Sequence, residues 1–369
     1  MKKTDLNNSR LLSPAMLYVF LKKNHFLDSI TTIGFSVEGR PIYSYRVGSG
    51  SYKVFMWSQM HGNESTTTKA MLDFWIYLNT PEASCLLVRC TFIMIPQLNP
   101  DGSDSYTRLN ANGVDLNRDA ISLSQPESIV LRTVYDQFKP HYCFNLHGQR
   151  TIFTAGDTHI PATVSFLAPS ADPKRTVTAA RERAMGLIVS ANTKLQKSIP
   201  DAVGRYDDSF NINCFGDYFT SLNTPTVLFE AGHFKDDYKR IVARKNVLEA
   251  LITMCDTISS SSIAEFTVNS YFKIPENYKN LRDIEVFNIK TATGVNFNTS
   301  ENSIFYQFNE LKKGNEIVFI PELEEFREEL VGLKKIDAQQ HEALKSIVLN
   351  PLKPNYENLT KTISMLIFI

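Results

Sequence analysis

Neither sign of charge predominates in this sequence, since 39 lysines and arginines face 39 aspartates and glutamates. That balance gives no general attraction to nucleic acid or to an acidic membrane, and any polyanion binding would need a local patch. Long apolar runs are also missing. Residues 15–21 are apolar but few, and Lys22 and Lys23 follow at once. They read as a helix and not as a secretory signal, although Lys2 and Lys3 begin a signal-like pattern. The run 363–369 is too short to span a bilayer and reads as a terminal strand. Cysteine is sparse, at positions 85, 90, 143, 214 and 255. An odd number without a Cys-x-x-Cys spacing speaks against a disulfide scaffold and against a zinc–thiolate site. Several of these cysteines lie in apolar runs, where a free thiol behaves as a small core residue, and a reducing cytoplasm is the expected compartment.

What is present is a globular composition, 43% hydrophobic and 21% charged over 369 residues. That length suits two domains, or one large domain with an appendage. The first two-thirds alternates strand-like and helix-like stretches, the pattern of a three-layer α/β domain. Strands are expected at 53–57, 91–95, 142–146 and 225–229, and helices at 66–78, 126–138 and 238–258. A further charged stretch, 174–196, reads as a helix lying on the surface. Four serines, Ser259–Ser262, follow the last of these helices and suggest a linker over 259–266. Beyond it, β-prone runs such as 284–289 and 316–320 suggest a small β-rich body over 267–369, with no site-like cluster.

Four polar clusters stand at the ends of the expected strands. His61-Gly62-Asn63-Glu64 follows the first, and a His and a Glu three apart can face one centre across a tight turn. Imidazole and carboxylate are ordinary zinc ligands, but the pair also suits a charged surface turn. Asn99-Pro100-Asp101-Gly102 leads through Arg108 to Gly113-Val114-Asp115-Leu116-Asn117-Arg118. Two arginines interleaved with Asn and Asp can build an anion pocket, or can pair with the local aspartates. His147 ends an apolar strand just before Gly148, where α/β folds present ligands. Glu230 ends another, in Leu228-Phe229-Glu230-Ala231-Gly232, where a carboxylate is costly to bury without a partner. Arg205, Asp207 and Asp208 could line a pocket or form a solvated cluster.

Taken in order over roughly residues 10–258, these clusters resemble the zinc carboxypeptidase family, the relatives of carboxypeptidases A and B. The resemblance is most specific from Asn99 to Arg118. It implies a mixed, mostly eight-stranded sheet in a three-layer α/β sandwich over residues 1–258, with the 267–369 body as an accessory of unknown role. It implies one Zn2+ per chain held by His61, Glu64 and His147, with Asp115 hydrogen-bonding the first histidine. It makes Glu230 the general base, Arg108 the group that polarises the scissile carbonyl, and Asn117 and Arg118 the clamp on the terminal carboxylate of a peptide. The family also uses a mobile tyrosine, for which Tyr206 is the first choice and Tyr218 the other. Nucleic acid and membrane are not expected partners. His-Gly-Asn-Glu occurs as well in related zinc deacylases of the desuccinylase and aspartoacylase group, which release an acyl group from an amino acid, and a small C-terminal β-domain is one of their habits. A catalytically silent relative acting as a binding module is the third possibility, although every ligand and the base are present.

Overall fold

A computed structural model describes residues 6, 9–291, 303–324, 330–345, 347–349 and 356–367. Lys2, Lys3 and the last residues of the 363–369 run lie outside the described residues, as do 292–302 and 325–329 of the β-rich stretch.

The first body opens with helix α1 (Pro14–Lys23) and strands β1 (Ile30–Phe35), β2 (Pro41–Gly48) and β3 (Tyr52–Ser58). Helices α2 (Ser65–Leu78) and α3 (Ser84–Arg89) lead to β4 (Cys90–Ile95), the one-turn helix α4 (Pro100–Ser105), α5 (Pro126–Phe138) and β5 (Tyr142–Gly148). A two-residue strand β6 (Thr154–Ala155) precedes β7 (Val164–Leu167), α6 (Ala179–Leu195) and β8 (Val203–Arg205). Helix α7 (Phe215–Ser221), β9 (Thr226–Ala231) and the long helix α8 (Ile241–Ser260) follow. Eight of these strands form one mixed sheet in the order β1-β2-β4-β3-β5-β9-β7-β8. Its centre, β4-β3-β5-β9, is parallel, so all four strands end at one edge.

Parallel strands covered on both faces read as unbroken apolar runs, which is why β3, β5 and β9 were legible without alternation. Their side chains still sort by parity. Val54, Met56, Phe144, Val227 and Phe229 pack into the larger core with α2, α6 and α8. Phe55, Trp57 and Cys143 pack into a second core with α5 and α7. By the same parity His147 and Glu230 point to the second side, at adjacent register positions of paired strands.

The expected surface helix is not at the surface. Helix α6 is mostly buried, and Arg181 within it is 1% exposed. Its charges mislead because they are used internally: the Arg181 guanidinium donates to the Ala168 carbonyl at 3.1 Å and pairs with Asp208. Helix α8 starts later than expected because the Asp237 carboxylate caps it, accepting from Ile241 and Val242 N–H at 2.9 and 2.7 Å.

Ser259 and Ser260 are the last residues of α8, and the chain then turns back onto the first body. Ile263, Phe266 and Val268 pack on the larger core, and helix α9 (Val268–Phe272) sets Tyr271 fully inside it. Strand β10 (Asn277–Tyr278) pairs with β6, and Arg205 N–H at the edge strand β8 donates to the Pro275 carbonyl at 2.7 Å.

The second body begins at β11 (Leu281–Phe287), continued by β12 (Lys290–Thr291), β13 (Ile304–Lys313), β14 (Glu316–Glu324) and β15 (Val331–Asp337). Four of these form a sheet in the order β14-β13-β11-β15. Helix α10 (Glu342–Lys345) and β16 (Val348–Leu349), which pairs with β12, precede helix α11 (Glu357–Leu366). The expected terminal strand is therefore helical over 363–366: Leu359 and Ile363, one helical turn apart, are buried together against this sheet.

Because Tyr271 is sealed in the larger core, Tyr271→Ala should cost about 3–5 kcal/mol of stability by urea denaturation of the full chain. A loss below about 1 kcal/mol would show that the segment after the serines does not belong to the first body.

Candidate metal centre

The carboxyl edge of the parallel strands is where the polar clusters gather. The turn after β3 carries His61 and Glu64 up to the start of α2, where it meets the turn at the start of α4. There Asn99 Oδ1 accepts from Gly102 N–H at 2.8 Å. The two turns touch backbone to backbone: a Cβ on Gly62 would lie 1.9 Å from the Gly102 carbonyl carbon. Only glycine fits there.

His61 Nδ1 lies 2.9 Å from Glu64 Oε1, His147 Nδ1 lies 3.0 Å from Glu64 Oε2, and the two Nδ1 atoms are 3.2 Å apart. All three residues are buried, and one ligand atom from each lies within 4.8 Å of the others. On its far side His61 Nε2 is 3.0 Å from Asp115 Oδ1. A carboxylate there assigns the ring proton to Nε2 and leaves the Nδ1 lone pair facing inward. Two inward-facing imidazole nitrogens so close together suit a shared cation. Tetrahedral ligand nitrogens at 2.0–2.1 Å from zinc stand roughly 3.3 Å apart. Two imidazoles and one carboxylate, with the fourth position left to water, are the donor set of a catalytic zinc site. The residues fit the ion.

The charges are strongly mutual. Burial alone would raise the pKa of Glu64, but His61 and His147 hold it well below the carboxylate range. Burial would likewise lower that of His61, yet Glu64 and Asp115 raise it, whereas burial prevails at His147. Glu230, in register with His147, has its pKa pushed well above the usual value by burial and then by the Glu64 charge, with Arg108 opposing.

Arg108 is 45% exposed at the rim, with Nη1 3.4 Å from Glu64 Oε1 and Nε and Nη2 3.1 and 3.0 Å from Asp115 Oδ2. Asn117 Oδ1 accepts from Phe215 N–H at 3.1 Å, so its oxygen is committed to the start of α7. Arg118 is exposed, its Nη1 donating to the Asn117 carbonyl at 2.7 Å and to Cys214 Sγ at 3.1 Å. Tyr206 packs edge-on against Phe153, and burial, then the Glu230 and Glu64 charges, raises its pKa. Tyr218 lies elsewhere, under the Arg132 guanidinium at 4.6 Å from the ring centre. Arg205 and Asp208 are taken by other partners, Glu276 at 2.6 Å and the arginines 175 and 181.

Sequence reasoning missed the buried amides around this centre. Asn63 Oδ1 and both amide atoms of Asn145 and Gln149 have no hydrogen-bond partner among the described residues. Asn145 did carry a signal, since it interrupts the apolar strand Phe144-Asn145-Leu146 on the same face as His147.

Residues 15–155 match the family model described as Zinc carboxypeptidase, a span that includes the three converging residues and stops short of Glu230. The chain is 31% identical over 138 residues to the probable carboxypeptidase 2 of Arthroderma benhamiae, and 32% over 133 residues to the carboxypeptidase 2 of Trichophyton tonsurans. These alignments take in 34% and 33% of this chain and 26% and 24% of the relatives, so the match spans about a quarter of their length. Among solved structures, a metallo-carboxypeptidase from Burkholderia cenocepacia shares the fold over 68% of this chain and 71% of its own, at a TM-score of 0.53 and 18% identity. The carboxypeptidase A of Helicoverpa armigera does so over 72% and 76%, at 0.53 and 19%. Over residues 15–155 the chain is thus similar to the zinc carboxypeptidases, and it shares its fold with solved metallo-carboxypeptidases.

Proposed function

We propose that the chain is a zinc-dependent metallocarboxypeptidase that removes C-terminal residues from peptides, with one zinc ion per chain. The observation that carries this reading is the convergence of His61, His147 and Glu64, with Glu230 one strand away at the register position of His147. A zinc ion bound there would polarise a carbonyl and lower the pKa of a water. The rest is done by side chains. Glu230 takes the proton of the attacking water and returns it to the leaving amine, and burial suits it to hold that proton between the two transfers. Arg108 stands at the rim to meet the oxyanion that develops on the scissile carbonyl. Arg118 grips the free carboxylate with the Asn117 amide nitrogen beside it, which selects chain ends. Tyr206 closes over the substrate with a hydroxyl that burial and Glu230 keep neutral.

A zinc deacylase of N-acyl amino acids is the second reading, and the separate C-terminal sheet beside the site is the observation in its favour. The segment from Asn99 to Arg118, with Arg108 and Arg118 on one loop, favours the peptidase. Incubation with a mixed peptide library and with acyl-amino acids, with and without chelator, separates the two. Turnover of acyl-amino acids alone would assign the deacylase.

Purified protein should carry one zinc per chain by metal analysis, and His147→Ala should lose it. Asp115→Asn should weaken zinc about 10–100-fold through His61. Full stoichiometry in the His147 variant would contradict the ligand set. Glu230→Gln should retain zinc while kcat falls at least about a hundredfold, and near-normal turnover would remove Glu230 from the mechanism.

A base must be ionised to act, so kcat/KM should fall as pH drops through the pKa of Glu230. Burial sets that pKa high, so the acid limb should lie above the ordinary carboxylate value of about 4.3. A pH–rate profile flat down to that value would speak against a buried carboxylate base.

A further inference from the structure

Several loops that build the metal centre end against one strand of the C-terminal sheet. Alternate side chains of β13 face the first body. Phe308 meets the Tyr238 ring at 5.4 Å, Glu310 accepts from the Tyr106 hydroxyl, and Lys312 donates to the Asp104 carbonyl. At the intervening position, Asn309 Oδ1 accepts from Arg150 Nη2 at 3.1 Å, just beyond His147.

Glu310 is the centre of this contact. Arg10 Nη2 donates to both of its oxygens, at 2.8 and 3.1 Å, and both side chains are 8% exposed. Burial would raise the pKa of Glu310, but Arg10 and the Tyr106 hydroxyl keep it low, so the carboxylate is charged and fully used. Each partner leads to the metal centre. The Arg10 carbonyl accepts from the Ser65 hydroxyl, next to Glu64. Tyr106 ends α4 with φ of 58°, in the left-handed region where an aromatic residue rarely sits without an anchor. The next residue, Thr107, accepts through its carbonyl from Asn63 N–H at 3.2 Å, and Arg108 follows.

We propose that Glu310, supplied by the C-terminal body, is a positioning residue: by holding Tyr106 and Arg10 together it fixes the 106–108 loop and so aims Arg108 at the reacting carbonyl. The C-terminal body is then part of the catalytic unit. The role given to Arg108 rests on the metallocarboxypeptidase reading above, whereas the anchoring of the loop does not.

The test uses the zinc-loaded full chain with Tyr106→Phe, which keeps the ring and the Arg10–Glu310 pair, and Glu310→Gln. With Tyr106→Phe, kcat on a peptide should fall about tenfold and KM change less than about twofold, at unchanged zinc content. Amides 106–110 should exchange hydrogen at least about ten times faster, with the strands β3 and β5 unaltered. In an Arg108→Ala background the same change should cost no further activity, which a general loss of stability would not reproduce. Wild-type kcat and exchange in both variants would overturn the proposal, and so would a full additional loss in the Arg108→Ala background. If the zinc-loaded wild type cleaves no peptide, the functional reading fails. The exchange measurement then decides the anchoring by itself, and unchanged exchange at 106–110 would sink it.

Discussion

The centre of this molecule is an electrostatic arrangement that is complete only around a cation. Two imidazole nitrogens 3.2 Å apart share one buried carboxylate, and the Asp115 carboxylate behind His61 turns its lone pair inward. Two buried imidazole nitrogens this close, beside a buried carboxylate, would be drawn into coordination by a divalent ion. The surrounding fold serves to hold the three groups there. The parallel strands deliver His147 and Glu230 in register, and the back-to-back glycine turns bring His61 and Glu64 over the same edge. A zinc ion held by these three residues would bind the folded chain more tightly than the unfolded one, so ion and fold would stabilise each other.

The parts of this design that were legible in the sequence are those whose signal is local. His61 and Glu64 share one turn, and His147 and Glu230 each break the apolar texture of a central strand at its end. Each such residue alone also fits a structural role, and it was their order, through its resemblance to a known family, that pointed to one centre within an α/β fold. The segment through Arg108 and Arg118 shows a turn-rich, arginine-bearing loop in the sequence, and the roles expected of its residues came from the family resemblance alone.

What escaped was whatever depends on partners distant in the chain. Arg181 makes α6 look solvated, yet its charge is consumed by Asp208 and by carbonyls inside the protein. Ile363 looked like part of a strand because a short apolar run has no period of its own, and only the C-terminal sheet, against which it is buried beside Leu359, decides which form buries it. Nothing near Glu310 in the sequence hints at Arg10 or Tyr106, which lie three and two hundred residues away. Periodicity tells which face of an element is apolar, but not what will cover it.

The strap formed by residues after α8 has one more effect. The outermost strand of the main sheet, β8, is three residues long, and its free edge is taken up by Pro275 and Glu276. A bare strand edge invites pairing with other chains. The same segment that carries the polypeptide across to the second sheet thus also works as a selvedge, keeping the larger sheet from fraying into its neighbours, so the join between the two bodies cannot be cut at the serines without unravelling a border of the first.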